Sequence, residues 1–393
     1  MNPWVAAPQC MDYFETLNKS RGMKQTLGRL LYILAVLGCL SWVTILQANE
    51  WRQAIGPWKW DFPKDHGSHP EFRTEWWYFT GNLKDTSKKW FGYQLTFFRQ
   101  GVLFKAKDQS SPWAIRDVYL AHFTVTDVNA DQFWYADRAS RRGPGLAGAA
   151  EEGMDVWLLN WTARMERNRI RLEARHQGME LSLDLAPRKP IVLHGKNGLS
   201  RKGPMEGQAS YYSSYTDLDT RGFLKTPLSH SPIQVNGTSW FDHEFGSNQL
   251  APDQAGWDWF SLHISEGQDL MVYFLRRKDG TIEPSSSGTW VTRSGESLHL
   301  TLSDIHVEVL DHWTSPRSGG RYPSRWRMKV PSAKIELEMS ALVPSQELIT
   351  GGSTGVTYWE GAVAGKGILA GKPITCEGYV ELTGYARGLG GLF

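Results

Sequence analysis

Beyond residue 51 the chain is written in short runs whose apolar and polar positions alternate with a period of two. In "FGYQLTFFR", Phe91, Tyr93, Leu95 and Phe97 share one face while Gln94 and Thr96 take the other. "RIRLEARHQGMELSLDL" predicts a hairpin, with Ile170 and Leu172 before a turn at Gln177-Gly178 and Leu181, Leu183 and Leu185 after it. Past the N-terminal segment no long stretch carries an apolar stripe at helical spacing. The pattern predicts an all-β protein.

The pattern is also written twice. "TEWWYFTGNL" followed by "FGYQLTFFR" is echoed by "AGWDWFSLHI" followed by "LMVYFLRR", and Trp76 to Trp257 is an offset of 257 − 76 = 181. "WTARMERNRIRLEARHQGMELSLDLAP" is echoed by "RWRMKVPSAKIELEMSALVP", with Trp161 to Trp326 an offset of 326 − 161 = 165. Two divergent copies of one unit differ by loop lengths in this way. Each copy has the size at which antiparallel strands curl into a barrel and remove their edges, and a barrel of about eight strands can hold one small ligand. We therefore expect an N-terminal segment over residues 1–50, a first barrel over 51–236 and a second over 237–393. The linker is placed in "KTPLSHSPIQVNGT", Lys225 to Thr238, where two prolines and an Asn-Gly turn signal interrupt the apolar pattern.

Composition narrows the partners. The 393 residues carry 43 Lys+Arg against 41 Asp+Glu, a net charge of +2, so no polyanion is implied and nucleic acid is not expected. Nineteen tryptophans supply flat apolar surface with a polar handle, suited to a core or to a greasy ligand. Three cysteines, Cys10, Cys39 and Cys376, make no disulfide framework. Leu30 to Leu46, "LLYILAVLGCLSWVTIL", is an uncharged run preceded by Lys24 and Arg29. It reads as a membrane or signal helix, with three outcomes left open: a signal anchor, a lipoprotein signal modified at Cys39, or cleavage near Ala48. Each puts the body of the chain on the outer side of the membrane, in the cell envelope or secreted, and we expect a monomer tethered by this segment.

"SWFDHEFGSNQL", Ser239 to Leu250, places candidate chemistry directly after the expected linker. Along a strand, residues two apart share a face roughly 6.6 to 6.8 Å from each other, so Trp240, Asp242 and Glu244 look the same way. His243 looks the other way unless a bulge at Gly246 turns it. If that face meets a ring-lined hollow, desolvation and like charge keep a proton on one acid near neutrality, which makes it a general acid beside an ionised neighbour. The alternative is that both acids pair with arginines for the sake of the fold. In "HPEFRTEWWYFTGNL", His69 to Leu83, Glu75, Trp77 and Phe79 share one face and Trp76, Tyr78 and Thr80 the other; Arg73 or Glu75 is placed to answer the acids, or to serve as a structural ion pair. His122 reads as a core histidine with a hydrogen-bonded partner. Candidate catalytic residues are Asp242, Glu244 and His243, and candidate ligand contacts are Trp240, Glu75, Trp77, Tyr78, His122, Trp257 and Trp259. There is no HExxH, CxxC pair or GxSxG, and no GxGxxG in a βαβ setting, so zinc protease, serine esterase and dinucleotide chemistries lack support. His69 and His243 with carboxylates lack metal-ligand spacing, and neither a metal nor a cofactor is expected.

"HPEFRTEWWYFTGNL", "FGYQLTFFR", "GLSRKG", "ASYYSSYT", "WFDHEFG" and "GWDWFSLHISEGQDLMVYFLRR" together resemble the AttH/CrtC family, named for carotenoid 1,2-hydratase and also labelled as secreted hydrolases. The resemblance runs from about Pro57 to about Tyr385. It implies two tandem lipocalin-like antiparallel β-barrels, a fold that agrees with the repeat. For the hydratase branch it implies protonation of a polyene end to a tertiary cation and addition of water, and it carries the proton-donor role to Asp242, with Trp240 and His243 as neighbours. Trp240 stands where that branch has tyrosine. The resulting expectation is a binder of a lipophilic isoprenoid, polyene or lipid-like molecule with hydro-lyase chemistry at the acids; a non-catalytic lipid carrier and a hydrolase are the alternatives.

Overall fold

A computed structural model describes residues 51–104, 115–248 and 250–389. The apolar run Leu30–Leu46, Cys10 and Cys39 lie outside the described residues.

The first half opens with β1 (Thr74–Lys84), β2 (Trp90–Gly101), β3 (Asp117–Asp127) and β4 (Gln132–Arg141). It continues through β5 (Ala147–Ala149), β6 (Asp155–Leu158), β7 (Trp161–Glu166), β8 (Arg169–His176) and β9 (Met179–Pro187). The short β10 (Val192–Leu193) and β11 (Leu199–Arg201) precede the long β12 (Ala209–Lys225) and β13 (Ile233–Gly246). The second half has β14 (Gln254–Ile264), β15 (Asp269–Arg277), β16 (Ser287–Val291), β17 (Ser297–Thr301) and β18 (His306–Thr314). It ends with β19 (Arg321–Val330), β20 (Ile335–Ala341), β21 (Glu347–Ile349), β22 (Thr357–Leu369) and β23 (Lys372–Thr383).

These strands form two curled, near-barrel antiparallel sheets. One runs β4-β3-β2-β1-β13-β12-β9-β8-β7-β6-β5, with β10 and β11 on β12; the other runs β17-β16-β15-β14-β23-β22-β20-β19-β18, with β21 on β22. The orders correspond strand for strand through the middle, so the repeat seen in the sequence is a repeat of topology. The Trp76/Trp257 match falls on β1 and β14, which hold equivalent places. The Trp161/Trp326 match is one strand out, because Trp161 lies on β7 and Trp326 on β19, whereas strand order sets β19 against β8. The hairpin within that match, β8–β9 against β19–β20, does correspond. Its turn in the first half is the expected pair: Gln177 and Gly178 have φ of 40° and 88°, the left-handed geometry that lets two residues reverse a twisted ribbon.

Residues 225–238 are not a linker. They end β12, turn and begin β13, which hydrogen-bonds to both β1 and β12, so the chain passes from one sheet to the other only after Gly246. The expected boundary at 236/237 therefore cuts the strand that closes the first half. Alternation along β13 then sorts its side chains. Phe241 joins the first sheet's core with Trp77, Phe79 and Leu95; Trp240 joins a separate aromatic cluster with Tyr78, Tyr212, Trp259 and Tyr273 that fills the junction of the two sheets. A third core, around Phe260, Trp326 and Trp359, sits within the second sheet.

Candidate functional site

The junction cluster encloses a cavity of about 100 Å³. That is smaller than the ~150 Å³ that admits benzene, so it suits a branched chain end rather than a ring or a whole long chain. Register builds its two walls, because residues directly opposite in an antiparallel pair share a face. On the first sheet, Tyr78 faces Asp242 and Asp242 faces Ser214; one step along, Phe98 faces Trp76, Trp76 faces Glu244, and Glu244 faces Tyr212. On the second, Tyr273 faces Trp259, Trp259 faces Glu381, and Glu381 faces Glu360. Asp242, Glu244, Glu381 and Lys202 are the charged groups of an otherwise largely aromatic lining.

Asp242 is buried and takes hydrogen bonds from Tyr212 OH (2.7 Å), Trp240 Nε1 (2.6 Å) and Ser214 Oγ. Burial pushes its carboxyl up, the three donors pull against it and nearby Glu244 adds to the rise, so that it stands at about 7. Behind Ser214 the contacts continue through His194 Nε2 (2.7 Å), whose Nδ1 lies 2.8 Å from Thr289 Oγ1. Burial lowers His194 to about 3, so it is a neutral imidazole with one donor and one acceptor nitrogen. With the proton on Nε2 the line runs Thr289 to His194 to Ser214 to Asp242, every hydroxyl donating toward the acid. Trp259 Nε1 donates to Tyr212 OH at 3.1 Å, which aims the phenol at Asp242 in the same way.

Glu244 shares the face but not the chemistry. Lys202 Nζ lies 2.8 Å from its carboxylate, Ser210 Oγ donates to it, and the ammonium stands 4.2 Å from the Tyr273 ring centre. Burial alone would lower Lys202, but attraction to Glu244 outweighs it and holds the ammonium charged. Lys202→Met is expected to leave a buried carboxylate without counter-charge and to cost about 3 kcal/mol; a lowered urea midpoint with unchanged m-value checks it.

Of the other expected residues, Tyr78, Trp257 and Trp259 line the cavity, and Trp240 stands behind Asp242 as its donor. His243, Glu75, Trp77 and His122 are elsewhere. Gly246 ends β13 in regular register with β1, so no bulge turns His243, and it points into the first half with Trp77 stacked on it at 5.0 Å. His122 is the core histidine foreseen, its Nδ1 2.7 Å from Tyr358 OH and its Nε2 2.9 Å from Ser353 Oγ. Glu75 does not answer the acids at the junction. It centres a separate buried network with Arg99 Nε at 3.0 Å, His69 Nδ1 at 2.8 Å and His243 Nε2 at 3.0 Å. One ligand atom each of His69, Glu75 and His243 lies within 4.8 Å of the others, close enough to share an ion. Yet the carboxylate already takes donors from Arg99, Ser68 Oγ and the His69 backbone, and hydrogen bonds to Asp65 and Glu75 overcome the cost of burial and raise His69 to about 9. The charge is met from within.

Sequence reasoning missed Lys202, Tyr212, Ser214 and Glu381. The first three sit in "GLSRKG" and "ASYYSSYT"; Ser210, Tyr212 and Ser214 alternate along β12 and so share one face. Glu381 carries no local signal.

A comparison with curated proteins found no match. Among solved structures, an AttH crystal structure from Nitrosomonas europaea is 32% identical, with a TM-score of 0.75 over 85% of this chain and 99% of that one. Kievitone hydratase from Nectria haematococca is similar in fold at 16% identity, with a TM-score of 0.62 over 84% of this chain and 94% of that one. The AttH-like family model matches residues 53–385, which takes in both sheets, the junction cavity and every residue lining it. With that match and the Nitrosomonas relative in agreement, the chain belongs to the AttH-like family.

Proposed function

We propose that this protein takes the apolar end of a lipophilic molecule into the cavity between its sheets and hydrates it by acid catalysis, with Asp242 as proton donor. The observation that carries the reading is a buried carboxyl poised at about 7 in the wall of an aromatic cavity. A carboxyl that keeps its proton near neutrality can protonate an alkene, and aromatic faces stabilise the cation that results. Trp76, Trp257, Trp259 and Tyr273 supply such faces. The cavity's size favours a branched alkene end, such as an isopropylidene group, whose protonation gives a tertiary cation. A hydratase built on the same fold, the kievitone enzyme, is consistent with this chemistry. The envelope-facing location suggested by Leu30–Leu46 belongs to the proposal, since it would place the cavity beside a supply of lipid-soluble molecules.

The test is native mass spectrometry and solvent extraction of the purified protein, followed by incubation of the extracted molecule with protein in water enriched in oxygen-18. We expect a co-purifying hydrophobe that gains one labelled hydroxyl. A hydrophobe recovered unchanged would favour the second reading, a carrier, for which the apolar lining alone suffices.

A further inference from the structure

Hydration needs two proton transfers, one to carbon and one from water, and the cavity holds a second acid besides Asp242. Glu381 stands on β23, the strand that occupies in the second sheet the place of β13 in the first. The offset of 181 that takes Trp76 to Trp257 takes Tyr78 to Trp259, because 259 − 78 = 181. Asp242 lies opposite Tyr78 and Glu381 lies opposite Trp259. The two acids are therefore the same position of the repeated unit, brought into one cavity from facing walls. Each receives one indole N–H, Trp240 Nε1 at 2.6 Å for Asp242 and Trp257 Nε1 at 2.7 Å for Glu381.

On the proposed hydratase reading, we infer that Asp242 and Glu381 divide the two transfers: neutral Asp242 gives its proton to the alkene carbon, and the Glu381 carboxylate takes the proton from the water that attacks the cation. One C–H and one C–O bond form as the C=C π bond and one water O–H bond break. Asp242 ends ionised and Glu381 protonated, and a proton returned between them through cavity water restores the start. No oxidant or further reactant enters.

The surroundings fix which acid does which. Glu244 is excluded as the base by its ion pair with Lys202, whereas among the described residues Glu381 has no ion-pair partner. Glu381 lines the cavity and is only half-buried, while Asp242 is 3% exposed and more completely enclosed. Glu360 lies directly opposite Glu381 and is wholly buried, with Tyr78 OH donating to Oε1 at 2.6 Å and no partner at Oε2 among the described residues. Burial and the facing Glu381 push Glu360 well above the usual carboxylate range, so it stays neutral and lets Glu381 ionise beside it. Burial raises Glu381 to about 7 against the pull of Trp257, with Asp242 and Glu244 adding to the rise, so its proton is held in part by the charge on Asp242.

Two measurements test this. In protein labelled with carbon-13 at Asp and Glu carboxyls, with Asp242→Asn and Glu381→Gln to assign the signals, both groups are expected to titrate above pH 6. The Glu381 step should move down by about one pH unit when Asp242 is neutralised. A Glu381 that titrates near its ordinary value, or ignores Asp242→Asn, overturns the pair. Separately, prenylbenzene is incubated with each form in heavy water. The wild type is expected to give deuterated alcohol. Asp242→Asn should take up no deuterium, and Glu381→Gln should still take it up but release mainly rearranged alkene, with alcohol reduced at least tenfold. The reverse pattern, or an unaltered Glu381→Gln, overturns the division of labour. No deuterium uptake by the wild type counts against hydration itself, and the carboxyl titration then still judges the pairing on its own.

Discussion

Asp242→Asn should stop turnover and, at the same time, make the protein harder to unfold above neutral pH. Loss of a positioned general acid removes about 10²- to 10⁴-fold in rate, and asparagine keeps the shape and an oxygen for Trp240 Nε1, so ligand binding should survive. The stability gain follows from linkage. The folded-state carboxyl stands at about 7 against an unfolded value near the ordinary 3.8, so between those limits the folded state holds the extra proton. Stability from this group is fully present below about pH 4 and is lost as pH rises through 7. The full loss is on the order of 4 kcal/mol at one pKa unit per 1.36 kcal/mol. The variant cannot ionise and avoids it. Thermal melts should coincide in change with wild type at pH 4 and favour the variant by several degrees at pH 8. A variant as active as wild type, or no more stable at pH 8, would remove Asp242 from its role.

Arg99→Ala should have the opposite character, a collapse of stability whose cause lies away from the cavity. Arg99 is 1% exposed and pairs with Glu75 and Asp117, both at 3.0 Å, while its Nη2 donates to the carbonyls of His69 (3.0 Å) and Phe72 (2.7 Å). Removing it takes the guanidinium from two buried carboxylates and two carbonyls; Glu75 keeps His69 and Ser68 and Asp117 keeps Arg142 at 3.5 Å, so the loss is about 3 kcal/mol, at the lower end for a broken buried pair. Chemical denaturation should show the midpoint falling accordingly, and Glu75→Gln should fall less because it removes a charge rather than isolating one. Were Arg99→Ala to fold normally yet lose ligand, the Glu75 network would have to be moved from scaffold to site.

The two variants mark where sequence reading succeeded and where it stopped. Alternation alone set Asp242, Glu244 and Trp240 on one face of β13 and His243 on the other, and set Glu75 and Trp77 opposite Tyr78; the structure keeps both separations. Nominating residues from both faces for one site joined what a two-residue period keeps apart. What alternation cannot supply is which distant strand faces the acids. Lys202 reaches Glu244 because β11 pairs with β12, with Arg201 opposite Ala209, and Glu381 arrives from the last strand of the other sheet. The sheet boundary was misplaced for a related reason. Two prolines and an Asn-Gly pair signal a turn, and a turn within one sheet has the same local signature as a passage between two.

A chamber whose opposite walls descend from one pattern offers an entering molecule no inherent head or tail. Orientation must come from where the copies have diverged: an ammonium-bound glutamate beside Asp242, a protonated Glu360 beside Glu381. On the proposed hydration, which wall meets the carbon that is protonated and which meets the incoming water would thus be set less by the acids themselves than by the unlike companions at their sides.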